Sequence, residues 1–152
     1  MIPAPEILLK PSMIFAFLKT FPLLLLAVTF LLLAWWLSPL FIFSSLAVIA
    51  AGWYRFLYIR NSRYVITPEV IRISRGIFFK RTDQVELFRV KDYIVTQPFL
   101  LQLFHLMDLT LKSTDPENPV IWLRGIPESD IIDTIRERVQ ETRQHNKIFE
   151  IY

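Results

Sequence analysis

The sequence predicts a membrane-anchored α+β protein: a two-helix transmembrane hairpin, then a seven-stranded β-barrel or sandwich capped by a C-terminal helix. Three observations carry this. From Thr20 to Tyr54 there is no Asp, Glu, Lys or Arg. From Arg63 to Arg124, short β-type runs are separated by turn residues at close spacing. From Pro127 onward the apolar period becomes helical.

Composition narrows the function classes. The chain of 152 residues suffices for one domain plus an anchor. Hydrophobic residues make up 53 % and mean hydropathy is +0.40, too apolar for an average soluble domain, so the excess must be concentrated. The absence of cysteine excludes a disulfide framework, a thiolate nucleophile and Cys-based zinc or iron–sulfur sites. Three glycines argue against a Gly-rich phosphate loop. His105 stands alone in an apolar segment and reads as a satisfied or surface histidine. Asp130 and Asp133 suit a helix N-terminus, and Asp83 and Glu86 have no partner base. An enzyme is not expected, nor a metal, a cofactor or a nucleic-acid partner.

Residues 1–19 form an N-terminal interfacial segment. Pro3, Pro5 and Pro11 exclude a long helix there, and Ser12–Thr20 is expected as a short helix at the membrane surface feeding the first span. The hairpin covers residues 20–60. As one straight helix the uncharged run would extend about 52 Å, against a hydrocarbon core of about 30 Å. Ser38-Pro39 breaks it into spans Phe21–Leu37 and Leu40–Leu57, each about 26 Å long. A cleavable signal would be shorter, and the small-residue stretch Ala47–Gly52 runs straight into aromatics and arginines. A buried hairpin of a soluble protein would keep a polar face, which Phe21–Phe43 lacks.

Lys10 and Lys19 precede the hairpin, Arg55, Arg60 and Arg63 follow it, and the Leu37–Phe41 turn is uncharged. Basic flanks stay cytoplasmic, so both termini and the domain are expected on the cytoplasmic side of a bacterial inner membrane. Lys19, Trp53, Tyr54, Arg55, Tyr58, Arg60 and Arg63 are the expected membrane-interface residues. Trp35 and Trp36 belong near the opposite interface.

The domain covers residues 61–142. Its expected strands are Arg63–Thr67, Val70–Arg75, Ile77–Thr82, Val85–Arg89, Asp92–Gln97, Met107–Ser113 and Val120–Arg124. Pro68-Glu69 and Arg75-Gly76 mark turns, and residues 115–119 a hairpin loop. Phe99–Leu106 interrupts the pattern as a helical turn. A helix follows from about Pro127 to about Thr142. Ile131, Ile132, Ile135 and Val139 form its apolar stripe, with Arg136, Glu137, Arg138, Gln140 and Glu141 on the other face. Ile135→Asp should therefore destabilise the domain, whereas Arg138→Asp should be nearly silent. Residues 143–152 form a C-terminal tail in which Ile148, Phe149, Ile151 and Tyr152 could dock on the domain or the bilayer.

A bent antiparallel sheet whose open end is plugged by a terminal helix is the architecture of pleckstrin-homology (PH) domains. The chain resembles the bacterial PH-domain membrane proteins, the YdbS-like family, over nearly its whole length. The resemblance rests on Tyr64-Val65-Ile66-Thr67-Pro68-Glu69, on Arg75-Gly76-Ile77, on Val85–Val95 and on Gln97–Leu111. It implies two membrane spans followed by a cytoplasmic PH-like domain, and brings no catalytic residues. One stretch departs: the family tends to have Gly near His105 and Met107 and a basic residue near Gln102, whereas residues 101–107 are more apolar here.

Charge is segregated along the chain. Residues 1–54 carry net +1, residues 55–91 net +6 and residues 92–152 net −4. The membrane-proximal part would face anionic lipids, each basic group contributing about 1 kcal/mol near the surface. Arg72, Arg75, Lys80 and Arg81 are the expected lipid or partner patch. Phe99, Leu100, Leu103 and Phe104 are the expected apolar contact loop; a short inward-folded core helix is the other reading of that loop. The expected function is a membrane-anchored, non-catalytic binding module that presents its domain to a protein partner or an anionic lipid surface. The alternative is an accessory subunit that homo-oligomerises or joins a larger membrane complex through its spans and apolar loop.

Overall fold

The computed structural model describes residues 4–146. The expected docking of Ile148, Phe149, Ile151 and Tyr152 lies outside them. Helices α1 (Met13–Trp36) and α2 (Phe41–Asn61) form the hairpin, reversing at Ser38-Pro39 as expected. Both are long and apolar enough to cross a membrane. Two small residues on α2 allow close packing. Ser45 is fully buried and its hydroxyl donates to the Ala27 carbonyl at 3.1 Å. A Cβ added at Gly52 would lie 3.6 Å from Leu23 Cβ. Small residues and cross-helix hydroxyl bonds are how apolar helices associate without a hydrophobic driving force.

Helix α1 starts earlier than the expected first span. Ser12 caps it, accepting from the Ile14 N–H at 3.3 Å, and the helix runs without a break from Met13 through Pro22. The expected surface helix and first span are therefore one rod, about 36 Å long. Pro22 leaves the Leu18 carbonyl without its usual donor; one turn below, the Thr20 hydroxyl reaches the Ala16 and Phe17 carbonyls at 3.0 and 3.1 Å.

The domain is a sandwich of two antiparallel sheets. One has the order β1 (Ile7–Leu9), β2 (Arg63–Ile66), β3 (Val70–Arg75), β4 (Arg81–Glu86); the other is β5 (Val90–Thr96), β6 (Leu106–Ser113), β7 (Val120–Pro127). Seven strands were expected, but not these seven. The expected strands Ile77–Thr82 and Val85–Arg89 are replaced by β4 alone. Gly76 takes φ 110°, a conformation glycine adopts without strain, and the chain reverses through Ile77–Lys80. Leu87–Arg89 forms a 3₁₀ turn between the sheets. The remaining strand comes from the N-terminal segment: Ile7, Leu8 and Leu9 pair with Ile66, Val65 and Tyr64.

Alternation along the strands builds the core. Ile66, Ile71, Ile73 and Val85 of the first sheet meet Leu109, Leu111, Ile121, Leu123 and Ile126 of the second. Helix α4 (Ile131–Asn146) adds Ile131, Ile135 and Val139, with Ile132 packed partly buried against them. The apolar stripe is the expected one, but the start is later. Pro127 ends β7 instead of opening the helix, because Gly125 and Ile126 still continue the sheet.

Arg138 corrects the expected polar face. It is only 6 % exposed. Its guanidinium donates to the Ile66 carbonyl at 2.9 Å and to the Pro5 carbonyl at 2.6 Å. Periodicity placed it beside the buried Val139, and a long side chain there can turn inward when carbonyls await a donor. Arg143, assigned to the tail, is also helical and donates to the Val90 and Phe88 carbonyls at 2.6 and 3.3 Å.

Candidate functional site

The hairpin and the domain are joined at one fixed junction. The Ser12 N–H donates to the Gly125 carbonyl on β7 at 2.8 Å. Gly125 has φ 66°, and a Cβ there would lie 2.1 Å from the Phe15 ring. Phe15 thus lies directly on the β7 backbone, a close approach that only glycine permits. A second small core continues from there: Phe15, Leu101 and Leu106, with Leu18 and Ile59 against them. It ties α1, α2, the short helix α3 (Phe99–Leu103) and β6 into one unit.

The helix pairing sets the level of the junction. Ala27 lies beside Ser45 and Leu23 beside Gly52. In an antiparallel pair that register brings Lys19 level with Arg55. The chain from Thr20 to Leu37 then rises about 26 Å to the uncharged loop, close to the thickness of a hydrocarbon core. Below Lys19 and Arg55 begins a cavity of about 330 Å³ between the hairpin and the domain. Lys19 and Arg55 line it from the helices, Arg75 from the end of β3 and Arg124 from β7, together with Tyr58, Tyr64 and Trp122. No carboxylate lines it among the described residues.

Three of the four cations are held in different ways. The Lys19 ammonium lies 5.5 Å from the Phe15 ring centroid. Arg75 donates to the Trp122 carbonyl at 3.3 Å, bridging the two sheets. The Arg124 guanidinium lies 5.1 Å from the Trp122 ring centroid. None of the four forms an ion pair among the described residues. Tyr64 closes the inner wall, its hydroxyl accepting from the Arg124 backbone N–H at 3.5 Å. Burial pushes the Tyr64 hydroxyl above its ordinary pKa, while that N–H and the Arg75 and Arg124 charges pull the other way.

A family model described as bacterial PH domain matches residues 13–142, a stretch that includes both helices of the hairpin and every strand of the sandwich except β1. The chain belongs to the bacterial PH-domain family. No curated protein and no solved structure matches the chain. PH-like domains typically mediate protein or lipid binding rather than catalysis. Among the described residues of this PH-domain protein, no group of three His, Cys, Asp or Glu is placed to hold a metal ion.

The PH sandwich separates the basic residues that the sequence grouped. Arg75 joins Lys19 and Arg55 at the junction. Arg81 pairs with Asp83 at 3.0 Å. Arg72 is exposed on the outward side of β3, and Lys80 is exposed in the turn after it. Trp53 and Tyr54 are exposed in the second half of α2, Arg60 in its last turn and Arg63 at the start of β2. Arg124 was missed as a site residue. Its signal was the period of two in Val120–Arg124, which turns Ile121 and Leu123 inward and Trp122 and Arg124 outward. Phe78 and Phe79, 83 % and 94 % exposed in the turn after Gly76, were also missed, because they read as strand residues.

The Phe99–Leu106 segment divides between both readings of it. Leu101 and Leu106 are buried against the base of the hairpin, and Phe99, Leu100, Leu103 and Phe104 are exposed. Gln97 and Gln102 side chains brace it, donating to the Leu106 and Gln97 carbonyls at 3.2 and 2.8 Å. His105 follows α3 with φ 55°, the left-handed conformation that commonly ends a helix and that glycine adopts freely. At the other end of β3 lies a second cavity, about 630 Å³. Its carboxylates are Glu69, Glu86 and Glu141, of which Glu86 is paired with Arg89 at 2.9 Å, whereas the charged side chains that line the cavity at the hairpin are all cations.

Proposed function

We propose that this protein is a membrane-anchored, non-catalytic binding module that holds its PH-like domain against the cytoplasmic face of a bacterial inner membrane. The observation that carries the reading is the fixed junction. A domain joined to its anchor by the Ser12–Gly125 hydrogen bond, the Phe15 contact and the α3 packing cannot swing freely. It therefore keeps one basic end, and the exposed apolar side chains of α3, at the bilayer surface for an anionic lipid surface or a protein partner. Basic residues flanking an uncharged hairpin support cytoplasmic termini. Reporter fusions after Pro39 and after Tyr152 test the arrangement. A cytoplasmic signal at Tyr152 with a periplasmic signal at Pro39 is expected, and a periplasmic signal at Tyr152 would overturn it.

A second reading, an accessory subunit that self-assembles or joins a larger complex, is favoured by one observation. Phe99 and Leu103 are 77 % and 61 % exposed on a helix braced from within, and exposed apolar patches commonly mark contact surfaces. A discrete oligomer of the full chain by native mass in mild detergent would favour it over a monomeric module.

A further inference from the structure

We propose that the cavity between hairpin and domain binds the phosphate of an anionic phospholipid from the leaflet on which the domain sits, with Lys19, Arg55, Arg75 and Arg124 as its cations. The inference rests on the membrane-anchored reading above and assigns that reading a site and a ligand class. Four elements each deliver one basic side chain to the same space, and no carboxylate lines it among the described residues; the Asp108 carboxylate, whose charge reaches Tyr64, lies behind the wall and is held by the Gly125 N–H at 2.8 Å. Like charges gathered in one cavity repel one another, and a bound anion removes that cost. Arginine suits the task because its planar fork meets phosphate oxygens two at a time.

The position of the cavity selects the source of the anion. Lys19 and Arg55 end the uncharged stretches of both helices, so the cavity opens where the headgroup layer meets the hydrocarbon. Tyr58 and Trp122 line the same space, and such aromatics favour that boundary. A phospholipid can place its phosphate among the cations while its acyl chains stay beside the exposed faces of α1 and α2. A free phosphate would gain the charge contacts without the second.

Native mass spectrometry of the full chain in mild detergent, titrated with phosphatidylglycerol or phosphatidylcholine, tests this. Phosphatidylglycerol adducts are expected at concentrations where phosphatidylcholine gives none. The double variant Arg75→Gln, Arg124→Gln should need about thirty-fold more phosphatidylglycerol, given the usual contribution of each basic group at an anionic surface. Lys91→Gln with Lys112→Gln removes the same charge from β5 and β6 and should bind as the unaltered chain does. Equal weakening in that control, equal binding of both lipids, or displacement of phosphatidylglycerol by millimolar inorganic phosphate would each overturn the proposal. If the double variant loses its near-ultraviolet circular dichroism, Arg55→Gln carries the test with an expected loss of about five-fold. Release of the unaltered chain from membranes by alkaline carbonate would refute the anchored reading itself. Retention without lipid selectivity would refute only the site.

Discussion

Arg138→Met removes a buried guanidinium while keeping most of its stem. Two hydrogen bonds are lost, to the Ile66 carbonyl at 2.9 Å and the Pro5 carbonyl at 2.6 Å. Hydrogen bonds from a charged donor contribute about 1.5–3 kcal/mol each. The two losses are unequal. Pro5 is exposed, so water replaces the lost donor there. Ile66 is fully buried, so no water can replace the donor there. Removing the guanidinium also removes its own desolvation cost, which brings the net destabilisation to about 2 kcal/mol. In a domain of this size that lowers the melting temperature by roughly 10 °C. Arg138→Asp should cost more, since it leaves a short carboxylate in a buried position without a donor and both carbonyls without theirs, and should approach Ile135→Asp, which buries a charge in the core. Thermal unfolding of the full chain in mild detergent, followed by near-ultraviolet circular dichroism, gives the magnitudes. Hydrogen exchange at Ile7–Leu9 gives the mechanism, because Arg138 also anchors the segment leading into β1. A melting temperature within a degree or two of the unaltered chain, with β1 still protected, would refute the account of Arg138 as a structural donor.

Gly125→Ala puts a methyl group 2.1 Å from the Phe15 ring at a positive φ, so a loss of about 1–3 kcal/mol is expected, read as faster exchange at the start of α1 before the sandwich unfolds. Leu100→Ser with Phe104→Ser should leave the melting temperature little changed, because both side chains are exposed, and should make the full chain more monodisperse in detergent. A fall matching the core-truncation cost of about 2–5 kcal/mol per site would instead make them core residues. Tyr64 supplies a pH dependence. Burial raises its folded pKa, so the neutral phenol is favoured in the folded state; its contribution to stability is complete below the unfolded value of about 10 and is lost as pH rises through the folded one. Tyr64→Phe should flatten the alkaline edge of the stability curve, and an unchanged edge would contradict the assignment.

The hairpin, most of the strands and the stripe of the last helix were legible in the sequence because each is a local pattern. An uncharged run broken at Ser38-Pro39, the alternation of Ile71 and Ile73 with Arg72, and Ile131, Ile135 and Val139 at helical spacing need only near neighbours. The third expected strand failed for a local reason of the same kind. Ile77, Phe78 and Phe79 have strand-type side chains, and residue preference could not tell the reversal after Gly76 from a strand.

Other features were decided by the tertiary structure. Ile7–Leu9, between Pro5 and Pro11, is too short to signal a strand; it becomes one because β2, far along the chain, offers an open edge of backbone donors and acceptors. Arg138 reads as solvated until the carbonyls of Ile66 and Pro5 lie above it. Lys19, Arg55 and Arg75 could be named as basic residues, but not their meeting with Arg124, because each comes from a different element. The sequence by itself determined which segments are apolar, extended or helical, since burial periodicity is written in adjacent residues. Only the tertiary structure decided which edges pair, which arginine is buried and which charges share a cavity, because those depend on contacts between residues that the chain keeps far apart.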